Sequence, residues 1–336
     1  MKVGRQSWRF NNGVYLQETA TAVGPLESEG PLSKYFDIKF EDSYCEQKSW
    51  EQAEANLMRS AILNIFTKTN LREKDISIAF AGDLINQLVP THYTFREFDI
   101  PFFGVYGACS TSMESLLLSS VFVNSNHASL ALAASSSHNM SVERQFRNPT
   151  EYGGPKPVTA QFTVTGAGVA LVGQKPSKIK IEAATGGVIL DAEQRNPNDM
   201  GSAMAPAAAS TIKQHFEDLQ ITPDYYDLII TGDLANCGSP ILIDILNQEG
   251  YDISEIHNDC GKIIYSKEQP VFSGGSGAGC CAVVTYGYIK ELLETKRLKK
   301  VLVVATGALL SPLIIQQKET IPCIAHAVAF SAVEDE

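Results

Sequence analysis

The chain has 336 residues, about two domains' worth of polypeptide. Hydrophobic residues make up 44% and charged residues 19%, so large cores can form and the composition of a disordered protein is excluded. The 27 basic and 38 acidic residues give a formal net charge of −11. We therefore expect no nucleic-acid partner, because phosphate backbones are bound by clustered cations.

The N-terminus and the apolar runs predict an intracellular protein with no transmembrane segment. Polar residues follow Met1, with no apolar stretch of the kind found in signal peptides. The longest apolar run, residues 301–315, contains Pro312 and is shorter than the ~20 residues that a membrane span needs. The seven cysteines contain no Cys-x-x-Cys pair, which favours a reducing compartment over a disulfide framework.

The sequence repeats itself. An apolar strand ending in Gly-Asp-Leu-x-Asn occurs at residues 76–86 and again at 228–236, with Gly82 and Gly232 at equivalent places. Three later features recur in the same order. A helix start rich in small residues occurs at 107–116 and 274–283, and an apolar run follows at 129–134 and 300–305. A closing strand of small residues occurs at 165–172 and 323–330. We interpret the chain as a duplication, with an N-terminal half at 1–175 and a C-terminal half at 176–336.

Apolar strands that alternate with helices predict mostly parallel sheets covered on both faces. Ligands in such sheets bind beyond the carboxyl ends of the strands. The loops after Gly82, Tyr106, Gly232 and Phe272 should therefore converge on one site.

Cys109 is the candidate nucleophile of that site. It follows an apolar strand and Gly107-Ala108, and it precedes a helical pattern whose apolar positions include Met113 and Leu116. Amides at a helix start favour a thiolate, which is how a cysteine nucleophile is activated. The alternative is a small buried cysteine with no chemical role.

This arrangement resembles the thiolase and ketoacyl-synthase superfamily over nearly the whole chain. The resemblance implies a duplicated α/β fold of five layers, α/β/α/β/α, with two mostly parallel sheets, and a homodimer. In that family Cys109 matches the acyl-carrying nucleophile, and Cys323 matches a second cysteine that acts as a base.

The sequence departs from the superfamily where its catalytic partners belong. Asp233 or its neighbours stand where a histidine is expected, residues 272–277 offer no Asn or His, and a glycine-rich turn is replaced by Ala-His-Ala at 325–327. A carboxylate near Cys109 opposes thiolate formation. We therefore expect acyl transfer to be lost or much reduced, with Cys109 and Cys323 vestigial; a working acyl-transferring enzyme that uses Cys109 is the alternative.

A closer resemblance is to the stage V sporulation protein AD family. It rests on long strings in both halves, at residues 144–154, 200–208, 257–261, 305–312 and 316–326. It implies non-catalytic binding of dipicolinic acid, free or with calcium, for uptake in sporulation and release in germination. It also implies a peripheral place on the spore inner membrane, beside other proteins of the stage V sporulation A assembly.

The expected ligand site is built mainly on backbone amides and small side chains. Amides near Cys109 and in the glycine turn can hold a carboxylate without formal positive charge. Asp233 could contact the ligand only through calcium or water, because it would repel a bare carboxylate. No resident metal or other cofactor is expected. The candidate ligand-binding residues are Cys109, Ser110, His138, Asp233, Asn236, Gly274, Gly275, Ser276 and His326.

Several of these features have simpler explanations. His138 is more typical of a structural histidine that is hydrogen-bonded within the protein than of a residue that contacts the ligand. The His257–Asp259 segment is closer to the start of a strand than to a zinc site. Arg144, Arg147 and Lys156 flank a Pro/Gly-rich loop that could cap the site or form the dimer edge, or could simply be solvated. The basic run 296–300 fits a helix C-terminus or a contact with a partner or membrane surface.

Overall fold

The computed structural model describes residues 1–146 and 156–334. Arg147 and most of the predicted loop at 148–157 lie outside these ranges. Within the described part of the chain, no helix is both long enough and apolar enough to cross a bilayer.

Fifteen strands are present in the described residues. They are β1 (Lys2–Val3), β2 (Ser7–Arg9), β3 (Tyr15–Val23), β4 (Ile38–Lys39), β5 (Ile78–Gly82), β6 (Phe102–Gly104), β7 (Leu130–Ser137), β8 (Phe162–Thr163), β9 (Gly166–Gly173), β10 (Ile179–Thr185), β11 (Leu228–Thr231), β12 (His257–Asp259), β13 (Gly275–Ser276), β14 (Lys300–Ala308) and β15 (Cys323–Ala332).

The helices of the described residues are α1 (Pro25–Ser28), α2 (Trp50–Thr69), α3 (Val89–Phe95), α4 (Thr111–Asn124), α5 (Asn139–Phe146), α6 (Met200–Leu219), α7 (Ala235–Gln248), α8 (Cys260–Ile263), α9 (Ala278–Val283), α10 (Lys290–Glu294) and α11 (Pro312–Gln316). A π-helical segment, Val284–Ile289, connects α9 to α10.

Each half contributes five strands with the same topology. In the first half the strand order is β3-β9-β7-β5-β6, and in the second it is β10-β15-β14-β11-β12. The three strands farthest from β3 or β10 are parallel in both halves, and β9 or β15 runs antiparallel to both of its neighbours. The duplicated α/β fold predicted from the sequence repeats is confirmed by this shared order.

The two predicted sheets are joined at one edge. β3 pairs with β10 through Ile179 opposite Leu16 and Lys180 opposite Tyr15, so the hydrogen bonds run through a single 13-stranded sheet. β2 also pairs with β10, which places an N-terminal strand against the C-terminal half. The predicted boundary at residues 175 and 176 falls between β9 and β10.

Five layers result from this arrangement. α2 packs on β3 and β9, and α6 packs on β14 and β15, which covers the outer face of each half. α4 and α9 contact each other, and α4 contacts strands of both halves, so this pair forms the central layer.

Small side chains allow the central helices to approach the strands. A Cβ atom on Gly168 of β9 would lie 2.7 Å from the Cβ of Ala282 in α9, so this crossing requires glycine. The sequence pattern predicts one apolar face for α4. Instead its serines, such as Ser115 and Ser119, are buried as well and donate hydrogen bonds to carbonyl oxygens. α4 is packed between the strands of both halves and none of its residues is fully exposed, which explains the difference.

Glu27 is a buried carboxyl group that links the two halves. Its Oε1 accepts hydrogen bonds from the Thr165 amide at 3.0 Å and from the Tyr265 hydroxyl. Complete burial raises the pKa of Glu27 to about 7, although these two hydrogen bonds lower it in part. The folded protein therefore favours a protonated Glu27 at mildly acidic pH.

Glu27→Gln should reduce the dependence of stability on pH. Because the folded pKa lies above the unfolded value of 4.5, the stability that protonation contributes is complete below pH 4.5 and is lost as pH rises through about 7. We expect the pH 5 to pH 8 change in the free energy of unfolding to shrink by about 2 kcal/mol in the variant. Urea midpoints at the two pH values measure it. Glu29→Gln, at an exposed neighbour, is the control; an unchanged slope in Glu27→Gln would contradict the assignment.

Candidate functional site

Loops at the carboxyl ends of the strands meet around Cys109. The loop after β5 contributes Leu84 and Ile85, α5 contributes Val142, and the start of α9 contributes Ala278. These four residues pack with Cys109 in a small apolar cluster that is separate from the larger cores. The loop after β11 supplies Asp233, so all four loops expected from the sequence reach this place.

Cys109 occupies a tight turn just before α4. Ala108 has a φ of +51°, a left-handed conformation that is costly for a residue other than glycine. The turn satisfies its own polar groups: the Gly107 amide donates to Thr111 Oγ1 at 3.0 Å, and Ser110 Oγ donates to the Gly107 carbonyl at 2.6 Å. Ser110 is thus brought to the site, but its hydroxyl is bonded within the turn.

Gly307 on β14 allows this turn to approach the second half. A Cβ atom at residue 307 would lie 2.2 Å from the Gly107 carbonyl oxygen, so glycine is required there. The adjacent Thr306 donates a hydrogen bond from its hydroxyl to Asp233 Oδ1. The sequence analysis missed both residues; the break in the apolar run of β14 at Thr306-Gly307 was the available signal.

Asp233 is buried and fully engaged by protein donors. Only 1% of the residue is exposed. Besides the bond from Thr306, its Oδ2 accepts hydrogen bonds from Ser276 Oγ at 3.0 Å and from the Gly277 amide at 3.1 Å. Burial raises the pKa of Asp233, and these donors lower it in part. With both oxygens bonded, the carboxyl group is placed to hold three segments together.

Cys109 lies beside this carboxyl group. Its Sγ is 4.0 Å from Ser276 Oγ, and the cysteine is 8% exposed. Burial, and then the negative charge of Asp233 together with a hydrogen bond to it, raise the pKa of Cys109 well above the ordinary value. The thiolate expected from the helix start is therefore disfavoured, because burial and charge outweigh the stabilisation from the amides.

A second buried acid, Asp259, fixes the turn that carries Asp233. Its Oδ1 accepts from the Ala235 amide at 2.9 Å, and its Oδ2 accepts from the Leu234 amide at 2.8 Å and from Thr231 Oγ1. Burial raises the pKa of Asp259 to about 6. Residues 257–259 form strand β12, in agreement with the strand start predicted from the sequence. The described residues contain no group of three or more His, Cys, Asp and Glu side chains that could hold a metal ion.

Backbone amides of the glycine turn before α9 form hydrogen bonds within the protein, where an open anion site would need them free. Gly274 and Gly277 have φ values of +133° and +106°, which only glycine adopts readily. The Gly277 amide already bonds Asp233, and the Gly279 amide donates to Ser137 Oγ at 3.0 Å. The expectation that this run of amides is free for a ligand carboxylate is therefore wrong at these two positions.

Asn236 and Cys323 flank the site. Asn236 Nδ2 donates to the Ser273 carbonyl at 2.8 Å, beside the turn that contains Gly274 and Gly275. Cys323, at the start of β15, donates from Sγ to the Ile321 carbonyl at 3.4 Å. Burial, followed by the charges of Asp191 and Asp233, raises the pKa of Cys323 to about 12, so at neutral pH the thiol is already protonated and cannot accept a proton as a base.

The two candidate histidines make different contacts. His138 Nε2 lies 2.7 Å from the Ser43 carbonyl, and its Nδ1 accepts from the Met140 amide, so both nitrogens are occupied and the structural interpretation is favoured. His326 Nδ1 accepts from the Gly187 amide at 3.2 Å. Burial lowers the pKa of His326 to about 4, so the ring is neutral and its proton is on Nε2.

Alkylation of Cys109 should be slow, and Asp233→Asn should accelerate it. Removing the negative charge lowers the pKa of the thiol. At a pH below the pKa, each unit by which the pKa falls increases the thiolate fraction about tenfold. Peptide mass mapping after iodoacetamide treatment at pH 8 measures the rate at each cysteine. Asp252→Asn, at an exposed site, controls for charge, and buried Cys45 controls for loosening of the fold. Equal Cys109 rates in the wild type and Asp233→Asn would contradict this account.

Solved structures with little sequence similarity share the fold. The 3-oxoacyl-[acyl-carrier-protein] synthase III of Aquifex aeolicus is 13% identical, with a TM-score of 0.56 over 95% of this chain and 100% of that one. OleA of Xanthomonas campestris bound to cerulenin, also 13% identical, gives 0.60 over 96% and 100%. Human mitochondrial 3-ketoacyl-CoA thiolase bound to CoA, 11% identical, gives 0.58 over 97% and 99%. The chain thus has the expected thiolase-like fold.

The sequence comparisons are more specific. The family model for stage V sporulation protein AD (SpoVAD) matches residues 4–331. The stage V sporulation protein AD of Bacillus subtilis (strain 168) is 53% identical over 327 residues, which is 97% of each chain. The chain therefore belongs to the stage V sporulation protein AD family of sporulation proteins.

Proposed function

We propose that this chain binds dipicolinic acid without catalysing acyl transfer, as one component of an assembly that moves dipicolinate across the spore inner membrane. The observation that carries the non-catalytic part is the position of Asp233 beside Cys109. A carboxyl group there raises the pKa of the thiol, where a condensing enzyme needs a group that assists proton transfer. The dipicolinate part rests on membership of the family.

The ligand would sit against Cys109. The apolar side chains of Leu84 and Val142, which pack with Cys109, would contact a flat aromatic ring next to the thiol. Polar contacts would come from the candidate set, namely Cys109, Ser110, Asn236, Gly274, Gly275, Ser276 and the Nε2 proton of His326. We assign Asp233 and His138 to supporting roles, because both oxygens of Asp233 and both ring nitrogens of His138 already bond to the protein. Ser110, Asn236 and Ser276 each donate one hydrogen bond within the protein, which leaves oxygen lone pairs and, for Asn236, a second N–H proton for a ligand.

Calcium, where it is involved, would arrive with dipicolinate, and we propose no other cofactor. Both oxygens of Asp233 accept hydrogen bonds from Thr306, Ser276 and Gly277, which argues for positioning of the turn over direct contact with a cation.

The partners would be the integral proteins of the stage V sporulation A assembly and a second copy of this chain. A homodimer is supported by the edge strand β6 and the residues after it, where Phe103 and Tyr106 are 55% and 47% exposed. Association with the membrane would then be peripheral, through those integral partners.

Calorimetric titration with dipicolinate tests the central proposal. We expect saturable binding that benzoate does not reproduce, and at least tenfold weaker binding in Cys109→Ala because the thiol contacts the ligand. Cys45→Ala is the matched control, since Cys45 is also a buried cysteine but belongs to a different apolar core. Absence of binding by the wild type would overturn the proposal, and equal affinity in Cys109→Ala would move the ligand elsewhere.

Repeating the titration with and without calcium tests the role of Asp233. If the carboxyl group only positions the turn, Asp233→Asn should change the affinities for free and calcium-bound dipicolinate by the same factor. A loss confined to the calcium complex would instead assign a metal contact to Asp233.

Acyl transfer through Cys109 remains the competing function, favoured by the strained turn that presents the cysteine before α4 in a thiolase-like fold. We expect no covalent adduct on Cys109 after incubation with an acyl-CoA at neutral pH, because the thiol is protonated. Intact-protein mass spectrometry of the wild type and Cys109→Ala measures it. A stable adduct present only in the wild type would favour the enzyme.

A further inference from the structure

A polar cavity lies where the two halves meet, and it contains none of the residues of the Cys109 site. Its volume is about 440 Å³. One wall comes from β3, the segment after α1 and the end of α2; the other comes from the π-helical segment, α10 and the residues that follow. Clefts between structural units are common ligand sites. The lining residues that matter here are Thr19, Lys34, Tyr35, Lys68, Lys290 and Arg297.

Two of the lysines are half-buried and held in place by carboxylates. Lys68 Nζ lies 2.7 Å from Asp37 Oδ1 and donates to the Thr19 carbonyl at 2.8 Å. Lys290 Nζ lies 3.2 Å from Glu18 Oε1, which is also 4.0 Å from Lys68 Nζ. The lysine side chains are 28% and 20% exposed. Their ammonium groups are therefore fixed within the cavity wall.

The other two cations are not neutralised in this way. Within the described residues, neither Lys34 nor Arg297 has a carboxylate within 4 Å. Both instead contact Tyr35: the Lys34 ammonium lies 4.9 Å from the ring centroid, and Arg297 donates to the hydroxyl, which lowers the pKa of Tyr35. Arg297 Nε also donates to Thr295 Oγ1 at 3.2 Å.

The wall carries an excess of positive charge. Four cations line the cavity against two lining carboxylates, those of Asp37 and Glu291; Glu18 and Glu294, the ion-pair partners of Lys290, are not among the lining residues. The ion pairs account for Lys68 and Lys290 and leave Lys34 and Arg297 against one remaining lining carboxylate, that of Glu291. This positive charge occurs in a chain whose net charge is −11. A local concentration of positive charge on an acidic protein attracts anions to that place.

A π-helical segment forms part of the wall. Helices of this type are rare, and short π segments often occur at functional sites. The Thr19 hydroxyl donates to the Tyr286 carbonyl at 2.7 Å, and a Cβ atom at Gly287 would come within 2.8 Å of the Tyr35 carbonyl oxygen. These contacts join the halves closely and fix Tyr35, between the two unneutralised cations.

We propose that this cavity binds a small phosphate-bearing anion, with the Arg297 guanidinium and the Lys34 ammonium on its oxygen atoms. Guanidinium groups bind phosphate through two parallel N–H bonds, and the half-buried lysines add positive potential behind it. The phosphate could belong to a soluble compound or to a lipid headgroup. The site is independent of the proposed binding of dipicolinate at Cys109.

Titration of the full chain with inorganic phosphate, against chloride at equal ionic strength, tests the proposal. We expect saturable binding in the wild type and at least tenfold weaker binding in Arg297→Gln and in Lys34→Gln. Lys299→Gln is the matched control: it removes the same charge from the same segment, but Lys299 lies outside the cavity and its side chain is 71% exposed. Melting temperatures of the variants without phosphate verify that they fold.

Sedimentation with phosphatidylglycerol and phosphatidylcholine vesicles separates the two sources of phosphate. Binding to phosphatidylglycerol that Arg297→Gln weakens and free phosphate competes away assigns a lipid headgroup. Saturable phosphate binding without vesicle binding assigns a soluble compound. Absence of saturable phosphate binding, or phosphate affinity that Arg297→Gln and Lys34→Gln leave unchanged, would overturn the proposal.

Discussion

The buried carboxyl group of Asp233 is the contact on which the candidate site depends. Its two oxygens hold the hydroxyl of Thr306, the hydroxyl of Ser276 and the amide of Gly277, so the ends of β11, β13 and β14 are bound to one another. The same group lies next to Cys109 and raises the pKa of that thiol. One side chain thus organises the site and disfavours the thiolate form of Cys109. This combination is why we propose binding without acyl transfer.

Close backbone approaches make this contact possible. Gly307 allows β14 to reach the turn of Cys109, and the pairing of Gly168 with Ala282 allows α9 to lie directly on β9. A Cβ atom would lie 2.2 Å from the Gly107 carbonyl oxygen at residue 307 and 2.7 Å from the Ala282 Cβ at residue 168, so both approaches require glycine. The small-residue strands of both halves are therefore a packing requirement of the central helices, and the site inherits its geometry from that packing.

Other buried carboxyl groups are likewise hydrogen-bonded by neutral donors. Glu27, Glu54, Asp83 and Asp259 accept hydrogen bonds from hydroxyl groups, and all but Glu54 also from backbone amides; burial raises the pKa of each. Neutral donors satisfy a carboxyl group in either protonation state, whereas a buried cation would favour the ionised form. Positive charge is concentrated instead in the cavity between the halves, at Lys34 and Arg297. Neutral donors thus satisfy these four buried carboxyl groups, and the cations of the cavity lie elsewhere in the structure.

The sequence by itself determined the duplication, the strand ends that face the site, the position of Cys109 and the family, because each depends on local patterns or on strings of residues. It also predicted that Asp233 or one of its neighbours stands where the superfamily has a catalytic histidine. Only the tertiary structure decided that Asp233 is saturated by Thr306, Ser276 and Gly277, that His138 is committed to Ser43 and Met140, and that the segment after Leu293 meets Tyr35 in a basic cavity. Apart from the local bond from Met140, these contacts join residues from about 40 to more than 250 positions apart. Spacing along the chain therefore holds no record of them.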